Sequence, residues 1–170
     1  MIGRPRSTEL AETLRAGVLG LGALGIAGLA IELVFLRHWS APLAATVWPV
    51  LAVLAVAWMT VARGRSRSAI LAARWLAAVG VAAAAFGIAV HVWANLGAAP
   101  LDRDVAAIWS TLPPLQQLFL AATGGVGPAP TLAPGALGEV ALAVALGTVG
   151  HPALVLTRHA AAAADSAMPL

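Results

Sequence analysis

Five polar or ionisable residues could do chemistry because they lie in or beside long apolar runs: Glu32, His38, His91, Asn95 and Glu139. An ionisable group inside an apolar, lipid-facing segment is costly and is therefore a functional candidate by default. His91 and Asn95 are four residues apart, so on a helix they share one face. We predict that these side chains line a polar pocket near one membrane boundary.

Three kinds of ligand suit these residue types. His38, His91 and Glu32 are candidate ligands of a divalent metal, which accepts imidazole nitrogens and carboxylate oxygens. The two imidazoles could instead be the axial ligands of a haem. A histidine beside a glutamate could also bind a quinone headgroup or relay protons. No spacing such as HExxH selects one of them, so the cofactor stays open.

Each candidate also has a structural interpretation. Glu32 could extend to the membrane interface or pair with Arg37. His91 and Asn95 could form hydrogen bonds between helices, and Glu139 could favour the positive end of a helix dipole. No catalytic residue is predicted, because no arrangement of nucleophile, base and orienting acid is recognisable.

The composition predicts that lipid surrounds most of the chain. Of its 170 residues, 61% are hydrophobic and 10% are charged, and the mean hydropathy is +0.90. A soluble domain is about 45–50% apolar and about 25% charged, so an ordinary soluble enzyme and a disordered tail are excluded. The absence of cysteine and lysine excludes disulfides, thiolate metal sites and lysine Schiff bases.

Four continuous apolar runs predict an all-α membrane protein, a four-transmembrane-helix bundle that forms a single domain over residues 1–170. The helices are expected at about 16–36, 43–61, 69–96 and 136–156. About 20 apolar residues cross a bilayer as a helix, in which every backbone group is paired locally. In the first run, Gly25, Gly28 and Glu32 share a face that is predicted to pack against neighbouring helices.

The arginines predict the orientation. With four spans, eight of the ten lie on one side, and only Arg37 and Arg103 lie on the other. Positive residues remain on the cytoplasmic side, so both termini form short cytoplasmic tails and the connection 97–135 is external. Within it, Pro113 and Pro114 are expected to separate two short segments. Because the arginines flank apolar runs, they are interpreted as topology signals, and nucleic acid is not a predicted partner.

The segment IELVFLRHWSAPLAATVWPVLAVLAV and the later HVWANL resemble a group of uncharacterised small four-helix bacterial inner-membrane proteins. The shared features are Glu32 followed by His38 at the end of the first span, and His91 followed by Asn95 near the end of the third. The similarity in layout covers about residues 17–156. It implies a location in the inner membrane and no particular activity.

These observations predict an integral membrane protein that is most simply a non-enzymatic structural or accessory subunit. Its expected partners are the lipid bilayer and either another membrane protein or further copies of itself. The alternative is a binding module whose outer-leaflet pocket takes a metal, haem or quinone. A small transporter is a third hypothesis, although no span is broken at mid-depth and the bilayer centre carries no charge.

Overall fold

Helices account for nearly all regular structure in the computed structural model, which describes residues 5–155 and the side chains of residues 9–155. No strand occurs within these limits, so the all-α prediction is confirmed. Two short 3-10 turns lie between α4 and α5, at Ala99–Leu101 and Trp109–Thr111. The helices are α1 Pro5–Phe35, α2 Pro42–Ala45, α3 Val47–Arg63, α4 Arg67–Ala98, α5 Pro114–Thr123 and α6 Ala133–Gly147.

Three stretches are long and apolar enough to cross a membrane: Glu9–Phe35, Pro42–Arg63 and Arg67–Leu101. The rest of the chain covers only a small share of each stretch, and large apolar side chains such as Leu21, Leu24 and Val79 are exposed. Exposure of this kind is stable in lipid and unfavourable in water. These features support the predicted membrane location.

The fourth apolar run forms a shorter helix than the sequence predicts. Helix α6 contains 15 residues, which gives a length of about 22 Å, whereas the hydrocarbon core of a bilayer is about 30 Å thick. The helix ends at Gly147, the backbone of Gly150 is left-handed with φ 64°, and residues 152–155 are helical again. Pro152 follows the break and cannot donate a backbone hydrogen bond into it. The last predicted residue of this span, at 156, lies outside the described residues.

A proline also explains the break between α2 and α3. Pro49 has no N–H to donate to the carbonyl four residues earlier, at Ala45, which is the last residue of α2. At the junction, the Thr46 hydroxyl donates to the carbonyl of Leu43 at 2.6 Å. The two helices together still form one candidate span.

The chain divides into two compact units. The first consists of the residues up to Val81 and those from Glu139 onward. Small residues let its helices approach closely: a Cβ on Gly22 would lie 3.3 Å from the Trp58 ring, and one on Gly80 would lie 2.7 Å from Leu54. Its buried cluster comprises Ala57, Val61, Ala73, Ala77 and Val144.

The second unit is Ala82–Gly138 and includes the predicted loop 97–135. This segment is ordered around its own buried cluster, in which Trp109 packs with Ala99, Ala121 and Val126. Helix α5 begins directly after Pro113, so the two short segments predicted around the proline pair are present as the turn Trp109–Thr111 and α5.

Candidate functional site

Glu32 lies in the last turn of α1, and its side chain is exposed. The buried stripe of this helix contains Gly22, Leu29 and Leu33 instead. The prediction of a packed face is therefore wrong for Glu32 and Gly28, whereas Gly25 is packed, since a Cβ there would lie 2.9 Å from Val140. A Cβ on Gly28 would meet no atom of the described chain within 4 Å. The leucines direct the packing because burying their side chains removes far more apolar surface than burying glycine does.

Helix α1 ends in a turn that fixes the backbone around His38. Arg37 has a left-handed backbone with φ 49°. The N–H of His38 donates to the carbonyl of Leu33 at 2.9 Å, and that of Arg37 to Val34 at 3.0 Å. This pattern is a Schellman motif, which satisfies the last carbonyls of a helix. The carbonyl of His38 accepts a hydrogen bond from Trp48 Nε1 at 3.1 Å, so the turn is attached to α3.

Asn95 is fully buried and joins α4 both to the end of α5 and to the chain that follows α5. Its Nδ2 donates to the carbonyls of Ala121, at 3.1 Å, and Ala129, at 2.8 Å. Its Oδ1 accepts a hydrogen bond from the N–H of Ala129 at 2.8 Å. Both amide protons and one oxygen lone pair are therefore used within the chain. Asn95 serves as a structural clamp in this arrangement.

His91 contacts the same connection one turn earlier on α4. Its Nδ1 lies 2.8 Å from the carbonyl oxygen of Pro130. Since a carbonyl can only accept, Nδ1 carries the proton and donates. Within residues 9–155, Nε2 makes no hydrogen bond. Of the predicted site, the structure thus brings His91 and Asn95 together on one segment, residues 121–130.

The remaining candidate, Glu139, is exposed in the first half of α6. Glu32, His38 and Glu139 belong to the first unit, whereas His91 and Asn95 belong to the second. No group of three or more His, Asp or Glu side chains suited to a metal ion occurs in the described part of the chain.

A cleft of about 630 Å³ lies in the first unit, where sequence reasoning predicted no site. Its polar lining comes from Arg15 on α1, Arg63 at the end of α3, Arg65 in the following turn and His151 after α6. The sequence signal for it is the recurrence of arginine at one end of the helices, which by itself indicates only orientation. The turn after Gly147, which directs His151 inward, is not recognisable in the hydropathy pattern.

His151 is 6% exposed, and both of its ring nitrogens are engaged. Nδ1 accepts a hydrogen bond from the N–H of Ala153, and Nε2 lies 3.2 Å from the carbonyl oxygen of Val61. Nε2 therefore carries the single proton of a neutral ring. The residue lies beyond α6 and outside the three candidate spans. Burial lowers the pKa of His151 below 6.5, and the nearby Arg15 charge lowers it further, against the opposing effect of the Val61 carbonyl.

No protein-family model, curated protein or solved structure matches this chain. The resemblance based on Glu32, His38, His91 and Asn95 therefore stays a prediction.

Proposed function

We propose that this protein is a non-enzymatic accessory subunit, which docks the exposed face of α1 against a transmembrane helix of a different protein. The observation that carries the proposal is the exposed Glu32 carboxylate, which makes no hydrogen bond or ion pair within residues 9–155. A carboxylate within an apolar span is costly in lipid, and a donor on a neighbouring helix relieves that cost.

The same face offers room for close helix contact. A Cβ on Gly17, Gly20 or Gly28 would meet no described atom within 4 Å. Exposed glycines let two helix backbones approach closely, which increases van der Waals contact where lipid supplies no hydrophobic drive. Leu21 and Leu24 flank them and are 65% and 71% exposed, so the face also offers apolar contact area.

The charge of Glu32 favours a different protein over a second copy. In a two-fold dimer about the membrane normal, both Glu32 carboxylates would lie at the same depth on facing helices. Like charges at that position repel, and the low dielectric of the membrane strengthens the repulsion. The partner helix should therefore carry a positive charge or a hydrogen-bond donor at the depth of Glu32.

The membrane and the orientation are part of the same proposal. The bacterial inner membrane follows from the resemblance to small inner-membrane proteins. The arginine distribution supports an orientation with both termini in the cytoplasm, and His151, which follows α6, lines the same cleft as Arg15 and Arg63. In that orientation, Glu32 lies near the outer boundary. The proposed partner helix therefore has its donor at the outer boundary.

Photo-crosslinking in cells tests this function. A photoreactive amino acid at Leu24 should give one discrete adduct with another membrane protein, whereas the same probe at the buried Leu29 should give none. Glu32→Leu should abolish the adduct, and Glu12→Gln, a change at an exposed carboxylate outside the apolar run, should leave it intact. A dimer adduct alone, no adduct, or an adduct that persists in Glu32→Leu would refute the accessory role.

A specific feature of His91 favours the binding module as a second candidate. Its Nδ1 donates to the Pro130 carbonyl, while Nε2 remains available as an acceptor. Metal- and haem-binding histidines are commonly oriented by such a bond from the other ring nitrogen. Optical absorption and elemental analysis of the purified protein test this function. A haem band or stoichiometric metal that is lost in His91→Ala would support it, and a colourless, metal-free protein would refute it.

A further inference from the structure

The cleft beside His151 concentrates positive charge. Three arginines, Arg15, Arg63 and Arg65, are among its lining residues, and no acidic residue of the described chain is among them. Arg63 and Arg65 are exposed, and Arg15 is half-buried. Guanidinium groups are the preferred partners of carboxylate and phosphate, because their planar donors fit two anionic oxygens at once.

The back of the cleft is rigid. The neutral ring of His151 is held from both sides by backbone groups, at Val61 and Ala153. Gly147 contacts Leu19 and Val61 so closely that an added Cβ would lie 2.8 Å and 3.2 Å from their side chains. The elements that carry the cleft are therefore packed together. The wall formed by Leu19, Val61 and His151 is therefore in place before a ligand binds, whereas the exposed Arg63 and Arg65 side chains become ordered on binding.

The lining is apolar as well as basic. Leu19, Val61 and Pro152 contribute to its walls. Its volume of about 630 Å³ lies within the range of about 300–1,000 Å³ that is usual for sites of organic ligands. Arg63 ends α3, and Arg15 directly precedes the apolar run that begins at residue 16. In a bilayer that these runs cross, both arginines would therefore lie near the depth of the phospholipid headgroups. A molecule with a phosphate next to acyl chains matches both parts of the lining.

We infer that this cleft binds the phosphate group of an anionic phospholipid, with Arg15, Arg63 and Arg65 as its ligands. The headgroup lies against the three guanidinium groups, and the glycerol and upper acyl chains lie against Leu19 and the neighbouring apolar surface. Basic pockets between membrane helices recognise anionic headgroups in this way. Free phosphate carries the same anionic oxygens as the headgroup, but it lacks the acyl chains that would contact the apolar walls.

Native mass spectrometry of the full chain tests the inference. The protein is purified in detergent with phosphatidylglycerol or phosphatidylcholine added at equal concentration, with and without excess inorganic phosphate. We expect retention of one phosphatidylglycerol in preference to phosphatidylcholine, and little displacement by phosphate. Replacing Arg63 and Arg65 together by glutamine should weaken retention about tenfold, since two partly exposed ion pairs are lost.

The matched control removes two positive charges elsewhere. Arg67 and Arg103 are exposed and do not line the cleft, so Arg67→Gln combined with Arg103→Gln should retain phosphatidylglycerol as the unaltered chain does. Equal loss in both double variants would show general attraction between charges and overturn the inference. Equal retention of the two lipids, or displacement of phosphatidylglycerol by inorganic phosphate, would also overturn it. The outcome is independent of the accessory role, because no residue of the exposed α1 face lines the cleft.

Discussion

Asn95 and Ala129 exchange two hydrogen bonds of 2.8 Å each, so a side-chain amide pairs with a backbone amide as two strands of a sheet would. The pair lies 34 residues apart in sequence. A third bond, from Asn95 Nδ2 to the Ala121 carbonyl, ties the end of α5 to the same point. The buried Asn95 side chain thereby holds both ends of the segment 121–129, which leads to α6.

Replacing Asn95 by leucine should destabilise the second unit by about 2–5 kcal/mol, because the buried Ala121 carbonyl and the partly buried amide groups of Ala129 lose their partner. Amide hydrogen exchange should accelerate at Ala129 and its neighbours, and the thermal midpoint in detergent should fall. Gln116→Ala, which removes an exposed amide on α5, is the matched control and should change neither measurement. Unaltered exchange at Ala129 in Asn95→Leu would contradict the clamp.

Two glycines in the chain that follows α5 allow the effect of backbone strain to be distinguished from the effect of steric crowding. Gly124 and Gly127 have φ of 74° and 76°, so alanine is strained at both positions. A Cβ on Gly124 would meet no described atom within 4 Å, but one on Gly127 would lie 2.7 Å from Asn95 Cα. Gly127→Ala should therefore destabilise the protein by about 1–3 kcal/mol more than Gly124→Ala does. Equal midpoints of thermal unfolding for the two variants would argue against close contact at Asn95.

Hydropathy was sufficient to predict the long helices, because the length of an apolar run reflects the thickness of the bilayer. It does not specify the rotation of a helix about its axis. Glu32 and Gly28 were expected on a buried face and lie on the open one, because Leu29 and Leu33 direct the packing. Helix α1 is apolar on all sides, so lipid can surround either face, the one with Gly28 and Glu32 or the one with Leu29 and Leu33. Only contacts with other helices determine which face is buried.

The sequence also does not predict which backbone groups the polar side chains contact. The spacing of four residues predicts that His91 and Asn95 share one face of a helix, and both contact residues 121–130 in the structure. Their partners are main-chain groups of Ala121, Ala129 and Pro130, and any residue type supplies those. The sequence therefore predicts that the two residues share a face, but the groups that they contact can be named only from the three-dimensional structure.

Close packing around Gly80 should make this position intolerant of a single methyl group. A Cβ there would lie 2.7 Å from Leu54 Cδ2 and 3.0 Å from Ala141 Cβ, and the Leu54 side chain is fully buried. We expect Gly80→Ala to destabilise the protein by about 1–3 kcal/mol through overpacking. Gly20→Ala, on the open face of α1, should instead be neutral or stabilising by about 0.5–1 kcal/mol. Denaturation by SDS would compare them, and a stabilised Gly80→Ala would disprove the tight packing.

His151 should make the stability of the first unit depend on pH. Burial and the charge of Arg15 lower its pKa in the folded protein below the ordinary value of 6.5, although the Val61 carbonyl favours the charged ring. Arg63 and Arg65 line the same cleft but are exposed, so solvent screens their charges. Between the two pKa values, the unfolded chain binds the proton and the folded chain does not. Stability is therefore complete above pH 6.5 and decreases as the pH falls through the folded pKa.

Thermal unfolding in detergent over the range from neutral to mildly acidic pH would measure this loss. His151→Gln should flatten the part of the profile that depends on this ring, because glutamine does not titrate. The control is His38→Gln, which removes a half-buried histidine outside the cleft. When His38→Gln is present in both chains, His151→Gln should still reduce the dependence of stability on pH by the same amount. The contrary result would be the same dependence of stability on pH in the unaltered chain and in His151→Gln. That result would show that the folded protein does not hold His151 as a neutral ring between Val61 and Ala153.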